Sequence, residues 1–145
     1  MKKIRYFYDV HYEYKNANDQ DYFHIGYFSS LKKAKDAIDT VKDQPGFKDS
    51  GGKFETNKFA VIFPYDVPDK SKVTLYEVSH EYEDAEGYDN WIIFGVYATK
   101  EEAEAELAKE SLKLPYKKYP DGFLLTDIQI NLLGWREGFV SWDND

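Results

Sequence analysis

The sequence predicts an α+β fold built from a tandem duplicated β-β-α-β unit, with mostly antiparallel sheets and two helices. Three observations carry this. Residues 4–14 alternate between aromatic or aliphatic and polar side chains, the same pattern returns near residue 73, and each copy continues into a glycine-bearing apolar strand and a capped helix.

In the first strand Ile4, Tyr6, Tyr8, Val10, Tyr12 and Tyr14 fall on one face. Arg5, Asp9, His11 and Glu13 fall on the other, with Phe7 as the exception. A period of two in β-favouring residues is the pleat of a strand. Residues 73–82 repeat it after a shift of 68, so that Tyr8, Val10 and Tyr14 become Tyr76, Val78 and Tyr82. A polar loop follows each copy, Lys15 to Asp21 and Glu83 to Asn90. The next strands, residues 23–30 and 92–99, are apolar on both faces and carry Gly26 and Gly95 at matching positions. A glycine inside a strand predicts a bulge or a close approach by a neighbouring element. Ser30 and Thr99 align as N-caps, and Glu102 completes a capping box with Thr99. Leu31, Ala34, Ile38 and Val41 form a helical stripe, matched more thinly by Ala103 and Leu107. Pro45-Gly46 and Pro115 stop the helices, and third strands run over 54–63 and 123–133. The division is therefore residues 1–63 for the first repeat, 64–72 for a proline-bounded linker, and 73–145 for the second repeat with a tryptophan-containing tail. A shift maintained across four elements predicts a pseudo-two-fold pair within one domain.

At 145 residues the chain suits one domain. It carries 13 Tyr, 10 Phe and 3 Trp, residues that serve cores and binding surfaces alike. A net charge of −8 disfavours nucleic acid, whose phosphates repel such a surface, and favours a basic partner. With no cysteine, thiol catalysis and cysteine-based zinc sites are excluded. Arg5, Asp9, His11 and Glu13 interrupt any signal-peptide core after Met1-Lys2-Lys3-Ile4. No stretch approaches the roughly 20 apolar residues of a membrane helix. The expectation is a cytoplasmic protein that needs no membrane and no cofactor.

Several short runs stand out in the second copy: His80-Glu81-Tyr82-Glu83, Gly95-Val96-Tyr97, Ala103, Pro120-Asp121-Gly122-Phe123 and Trp135-Arg136-Glu137-Gly138-Phe139. Through them residues 73–140 resemble a family of small bacterial domains of unknown function. The first copy shares Gly26-Tyr27-Phe28-Ser29-Ser30 and Pro45-Gly46-Phe47-Lys48-Asp49, but has Tyr12 in place of the histidine and lacks the tryptophan ending. The resemblance implies the architecture and no activity.

Candidate chemistry is sparse. His80 shares the face of Tyr76, Val78 and Tyr82, and His24 takes the position of Ile93, so both read as hydrogen-bonded core groups or, alternatively, as ligand-binding residues of a sensor seam. His11 lies on the polar face, and the histidines lack the spacing of a metal motif, so no metal ligand is assigned. His80 and Glu81 cannot form an acid–base pair, because strand neighbours point to opposite faces. Asn16, Asn18, Asp19 and Asp21, then Asp84, Glu86 and Asp89, make two acidic hairpin loops without calcium-loop spacing. Asp49-Ser50-Gly51-Gly52-Lys53 lacks the spacing of a phosphate loop, and no Gly-x-Ser-x-Gly elbow occurs. At the C-terminus Trp135, Phe139 and Trp142 alternate with Glu137, Asp143 and Asp145, reading either as a tail folded over a sheet edge or as an aromatic-acidic recognition patch.

These features lead to an expected noncatalytic protein-binding module, most concretely an immunity protein that neutralises a basic toxin domain. Its expected contact residues are Asp84, Glu86, Asp89, Trp135, Glu137, Trp142 and Asp143. A small-molecule sensor is the alternative. An enzyme would need His24 or His80 paired with a carboxylate from another element.

Overall fold

A computed structural model describes residues 3–15 and 20–139. In chain order it contains β1 (Lys3–Lys15), β2 (Gln20–Phe28), α1 (Leu31–Val41), β3 (Lys53–Phe63), β4 (Thr74–Glu83), β5 (Asp89–Tyr97), α2 (Lys100–Glu110) and β6 (Phe123–Gln129), with short 3-10 turns between. The strands form two three-stranded antiparallel sheets, ordered β2-β1-β3 and β5-β4-β6. The α+β class and the repeated β-β-α-β order are as the sequence predicts. Among the described residues, no helix is long and apolar enough to cross a membrane.

Both glycines mark bulges. Val10 pairs with Gly26 but His11 pairs with His24, leaving Ile25 as the extra residue. Val78 pairs with Gly95 but Ser79 pairs with Ile93, leaving Phe94 extra. An extra residue shifts the side-chain phase. Phe23, Ile25 and Phe28 therefore all join one core, with Val10, Tyr12, Tyr14, Ala34, Ala37, Val41 and Phe47. This is why the second strand reads as apolar throughout.

Each helix starts where its cap predicts. Ser30 Oγ accepts the Lys33 N–H at 3.1 Å. Thr99 Oγ1 accepts the Glu102 N–H at 3.2 Å and donates to Glu102 Oε1 at 3.2 Å. The buried stripe of α1 is Ala34, Ala37 and Val41. Leu31 is exposed, and Ala37 stands in the buried stripe in its place. In α2 the apolar stripe thins to Ala103, with Glu110 buried beside Lys113 at 3.0 Å.

The chain divides into two compact units. Among the described residues, the N-terminal unit gathers 5–15, 20–60, 69–72 and 130–139, and the C-terminal unit gathers 3–4, 61–68 and 73–129. This differs from the expected 1–63 and 73–145 in two ways. Residues 64–72 are not a free linker: Val67 is buried, and Asp69 closes a turn by accepting the Ser71 N–H and hydroxyl at 3.0 and 2.6 Å. The tail belongs with the first repeat rather than the second. Asn131 N–H donates to Tyr27 O at 2.8 Å, and Gly134 N–H to Ile25 O at 2.7 Å, along the outer edge of β2. The Asn131 side chain accepts the Ser29 N–H at 2.9 Å. Phe139 is only 9% exposed, stacks on Phe23 with centroids 4.2 Å apart, and donates its N–H to Pro45 O at 2.9 Å. Gly26 permits the tail's approach, since a Cβ there would lie 2.6 Å from Leu132 O.

Phe139→Ala removes a ring from the core of the N-terminal unit and is expected to cost about 3–5 kcal/mol. Urea unfolding followed by tyrosine fluorescence checks this; a loss below about 1 kcal/mol would mean the tail is a loose cover.

Candidate functional site

The two rings at position Tyr12 and His80 differ between copies, yet they do the same structural job. Both are buried, at 1% and 0% exposure. Tyr12 Oη donates to Phe47 O at 3.2 Å, accepts the Gly52 N–H at 2.8 Å and contacts Ser50 Oγ. His80 Nε2 lies 2.8 Å from Tyr119 O and, because a carbonyl only accepts, it carries the proton. Each ring ties its strand to the segment between helix and third strand. Each also has a glycine pressed against it: a Cβ on Gly52 would meet the Tyr12 ring at 2.6 Å, and one on Gly122 would meet His80 Nε2 at 2.8 Å. Phe54 and Phe123 pack against the two rings at 4.8 and 4.5 Å. His80 is thus the hydrogen-bonded core group expected from its face, and its Nε2 is already committed to the fold.

Four groups stand together on the face of β4 and β5 opposite α2. Register places Glu83 across from Asp89 and Glu81 across from Trp91. Trp91 is 46% exposed, and Leu124 on β6, across from Ser79, is exposed on the same face. Glu81, Tyr82, Glu83, Lys118, Tyr119, Pro120, Asp121 and Gly122 border an open concavity of about 370 Å³, where β4 runs past the end of β6. Like charges directly across a strand pair repel. The Glu83–Asp89 pair therefore disfavours the isolated sheet and would welcome a cation.

The Asp84 carboxylate works inward. It accepts the N–H groups of Glu86 and Tyr88, both at 3.0 Å, and the Asn90 amide at 3.1 Å, while Gly87 takes the left-handed conformation of the turn. The Tyr88 backbone and Asn90 side-chain bonds hold its pKa below the ordinary aspartate value. Glu86 and Asp89 are exposed. Asp84, Glu86 and Asp89 belong to the C-terminal unit, whereas Trp135 and Glu137 belong to the N-terminal one. Trp135 has its ring edge-on to Phe23 at 4.5 Å and is exposed to much the same degree as Trp91. Trp142, Asp143 and Asp145 lie outside the described residues, as do Asn16, Asn18 and Asp19. Trp91 is not among the contact residues expected from the sequence. Its signal was available: a tight hairpin fixes the register that puts it beside Glu81.

A second cluster occupies the face of β1, β2 and β3 opposite α1. His24 Nε2 lies 2.7 Å from Asp9 Oδ1. Asp9 Oδ2 is 3.9 Å from His11 Nδ1, and His11 Nε2 is 3.4 Å from Glu13 Oε1 and 3.2 Å from Glu55 Oε2. Tyr22 stacks on the His11 ring at 4.8 Å. His11, Glu13 and Glu55 present donor atoms all within 4.8 Å of one another. Glu13 follows His11 by two along one strand and was legible; Glu55 arrives from β3, whose register no local pattern fixes. His24 is part-buried and hydrogen-bonded as expected, although on the face away from the core of α1.

No family model, no curated protein and no solved structure matches this chain, so the functional reading rests on the geometry of these two faces.

Two outcomes follow. Tyr12→Phe leaves the Gly52 N–H and Phe47 O short of a partner, with an expected cost of about 1–3 kcal/mol in chemical denaturation; an unchanged midpoint would remove the ring tie. Because the folded pKa of Asp84 is depressed, its contribution to the loop is full above the ordinary aspartate range and is lost as pH falls through the folded value. Carboxyl NMR titration should place the Asp84 midpoint below 3.8, with Glu86 and Tyr88 amide protection falling in step; a midpoint at or above 3.8 contradicts the capping geometry.

Proposed function

We propose that this protein is a noncatalytic module that binds a basic protein partner, in its most concrete form an immunity protein that neutralises a toxin domain in the bacterial cytoplasm. The observation that carries the reading is Trp91, exposed on a sheet face beside Glu81 and next to the repelling pair Glu83 and Asp89. An aromatic anchor ringed by charge has the composition of an interface hot spot. The exposed Tyr88 extends the patch, and the neighbouring concavity has three carboxylates, Glu81, Glu83 and Asp121, against one cation, Lys118, at its border. Net charge of −8 adds long-range attraction to a basic domain. The contact set this supports is Glu81, Glu83, Glu86, Asp89 and Trp91, with Asp84 holding the loop that presents them.

The test is co-expression with the basic C-terminal domain of a large toxin encoded beside this gene. The chain should bind that domain and restore growth, with an association rate that falls as salt rises. Trp91→Ala and Glu81→Lys should each weaken binding at least about tenfold while circular dichroism is unchanged. Absence of both binding and rescue, or full affinity in both variants, would sink the reading.

A further inference from the structure

We propose that His11, Glu13 and Glu55 form a binding site for one divalent transition-metal ion, with Asp9 and His24 as its supporting shell. The site lies on the β1–β3 sheet and is independent of the protein-binding surface proposed above.

The donor geometry is the first argument. Metal–ligand bonds of about 2.1 Å place two donors about 3.0 Å apart at a right angle and about 3.4 Å apart at the tetrahedral angle. The His11 Nε2 separations from Glu55 Oε2 and Glu13 Oε1, 3.2 and 3.4 Å, fall in that range. One imidazole and two carboxylates suit zinc and its first-row neighbours, whereas calcium and magnesium prefer all-oxygen sets. The Glu13 and Glu55 side chains are 30% and 40% exposed, which leaves an entry path and room for water as a further ligand.

Burial of His11 is the second and independent argument. The residue is only 6% exposed, and its Nδ1 is enclosed without a hydrogen-bond partner. A buried polar nitrogen left unpaired is costly. Asp9 Oδ2 stands 3.9 Å from that nitrogen, and the other oxygen of Asp9 is held by His24 at 2.7 Å. A carboxylate commonly orients the second nitrogen of a metal-bound histidine, and Asp9 is the carboxylate nearest to it here, 3.9 Å away and beyond hydrogen-bond distance. Lys53 Nζ, 3.6 Å from Glu55 Oε1, is the cation that a metal ion must outcompete on that side.

The internal repeat supplies the third argument. Ser79 and Glu81 of the second copy match His11 and Glu13 after a shift of 68, and Ile93 matches His24. Phe123 matches Phe54, so Leu124 stands in the place of Glu55. A sheet of the same fold therefore forms with only two carboxylates of the cluster kept, Glu77 for Asp9 and Glu81 for Glu13, and without either histidine or a counterpart of Glu55.

Isothermal titration of the metal-stripped full chain with Zn²⁺ should give one ion per chain, and Co²⁺ should give visible d–d absorption from a nitrogen–oxygen site. Glu55→Gln, which changes a part-exposed carboxylate without changing shape, should weaken Zn²⁺ about 10- to 100-fold, and His11→Ala should abolish the cobalt spectrum with circular dichroism retained. Asp9→Asn should weaken Zn²⁺ about tenfold through the histidine. Glu104→Gln, an exposed carboxylate on α2, should leave Zn²⁺ affinity unchanged. No stoichiometric binding, or equal affinity in wild type and Glu55→Gln, would overturn the proposal and leave the cluster as an ion-paired patch. If His11→Ala does not fold, Glu55→Gln and Asp9→Asn decide alone.

Discussion

A single extra residue in the second strand of each unit sets the phase on which the rest of its sheet depends. Ile25 in β2 and Phe94 in β5 have no partner across the strand pair, so the alternation of side chains slips by one on passing them. The slip directs Phe23, Ile25 and Phe28 into one core, where a regular strand would send one of them to the far side. It also places His24 across from His11 and leaves Ile25 O available to the Gly134 N–H. The histidine cluster and the docking of the tail both follow from that local irregularity.

Around this frame the copies vary where substitution costs little and diverge where chemistry differs. Tyr12 and His80 look like a functional contrast in sequence, but each is a buried ring bound to a carbonyl of the segment that follows the helix, with a glycine against its face. The requirement is a planar ring with one polar tip, which either residue meets. On the opposite face the copies part company. The first has Asp9, His11, Tyr22, His24 and Glu55; the second has Glu77, Ser79, Trp91, Ile93 and Leu124. One face gathers nitrogen and oxygen donors, and the other sets an exposed indole among carboxylates.

Much of the scaffold was legible because its determinants are local. Period-two alternation marked β1 and β4, Ser30 and Thr99 marked the helix starts, and Gly26 and Gly95 marked the bulges. Leu31, expected in the helical stripe, is exposed, while Ala37 is buried. Asp84 lies in an acidic loop as the sequence shows, and three nearby donors tie its carboxylate to that loop.

By itself the sequence determined the fold class, the repeated order of elements and the helix starts, since each follows from a local pattern of side chains that recurs along the chain. Only the tertiary structure decided which unit receives the tail and which carboxylate meets His11. Phe139 finds its place among Tyr14, Phe23 and Phe47, more than ninety residues earlier in the chain, and Glu55 reaches His11 through the pairing of β3. Such meetings depend on strand register and on closing long loops, and both are set by the packing of the whole core rather than by any local pattern.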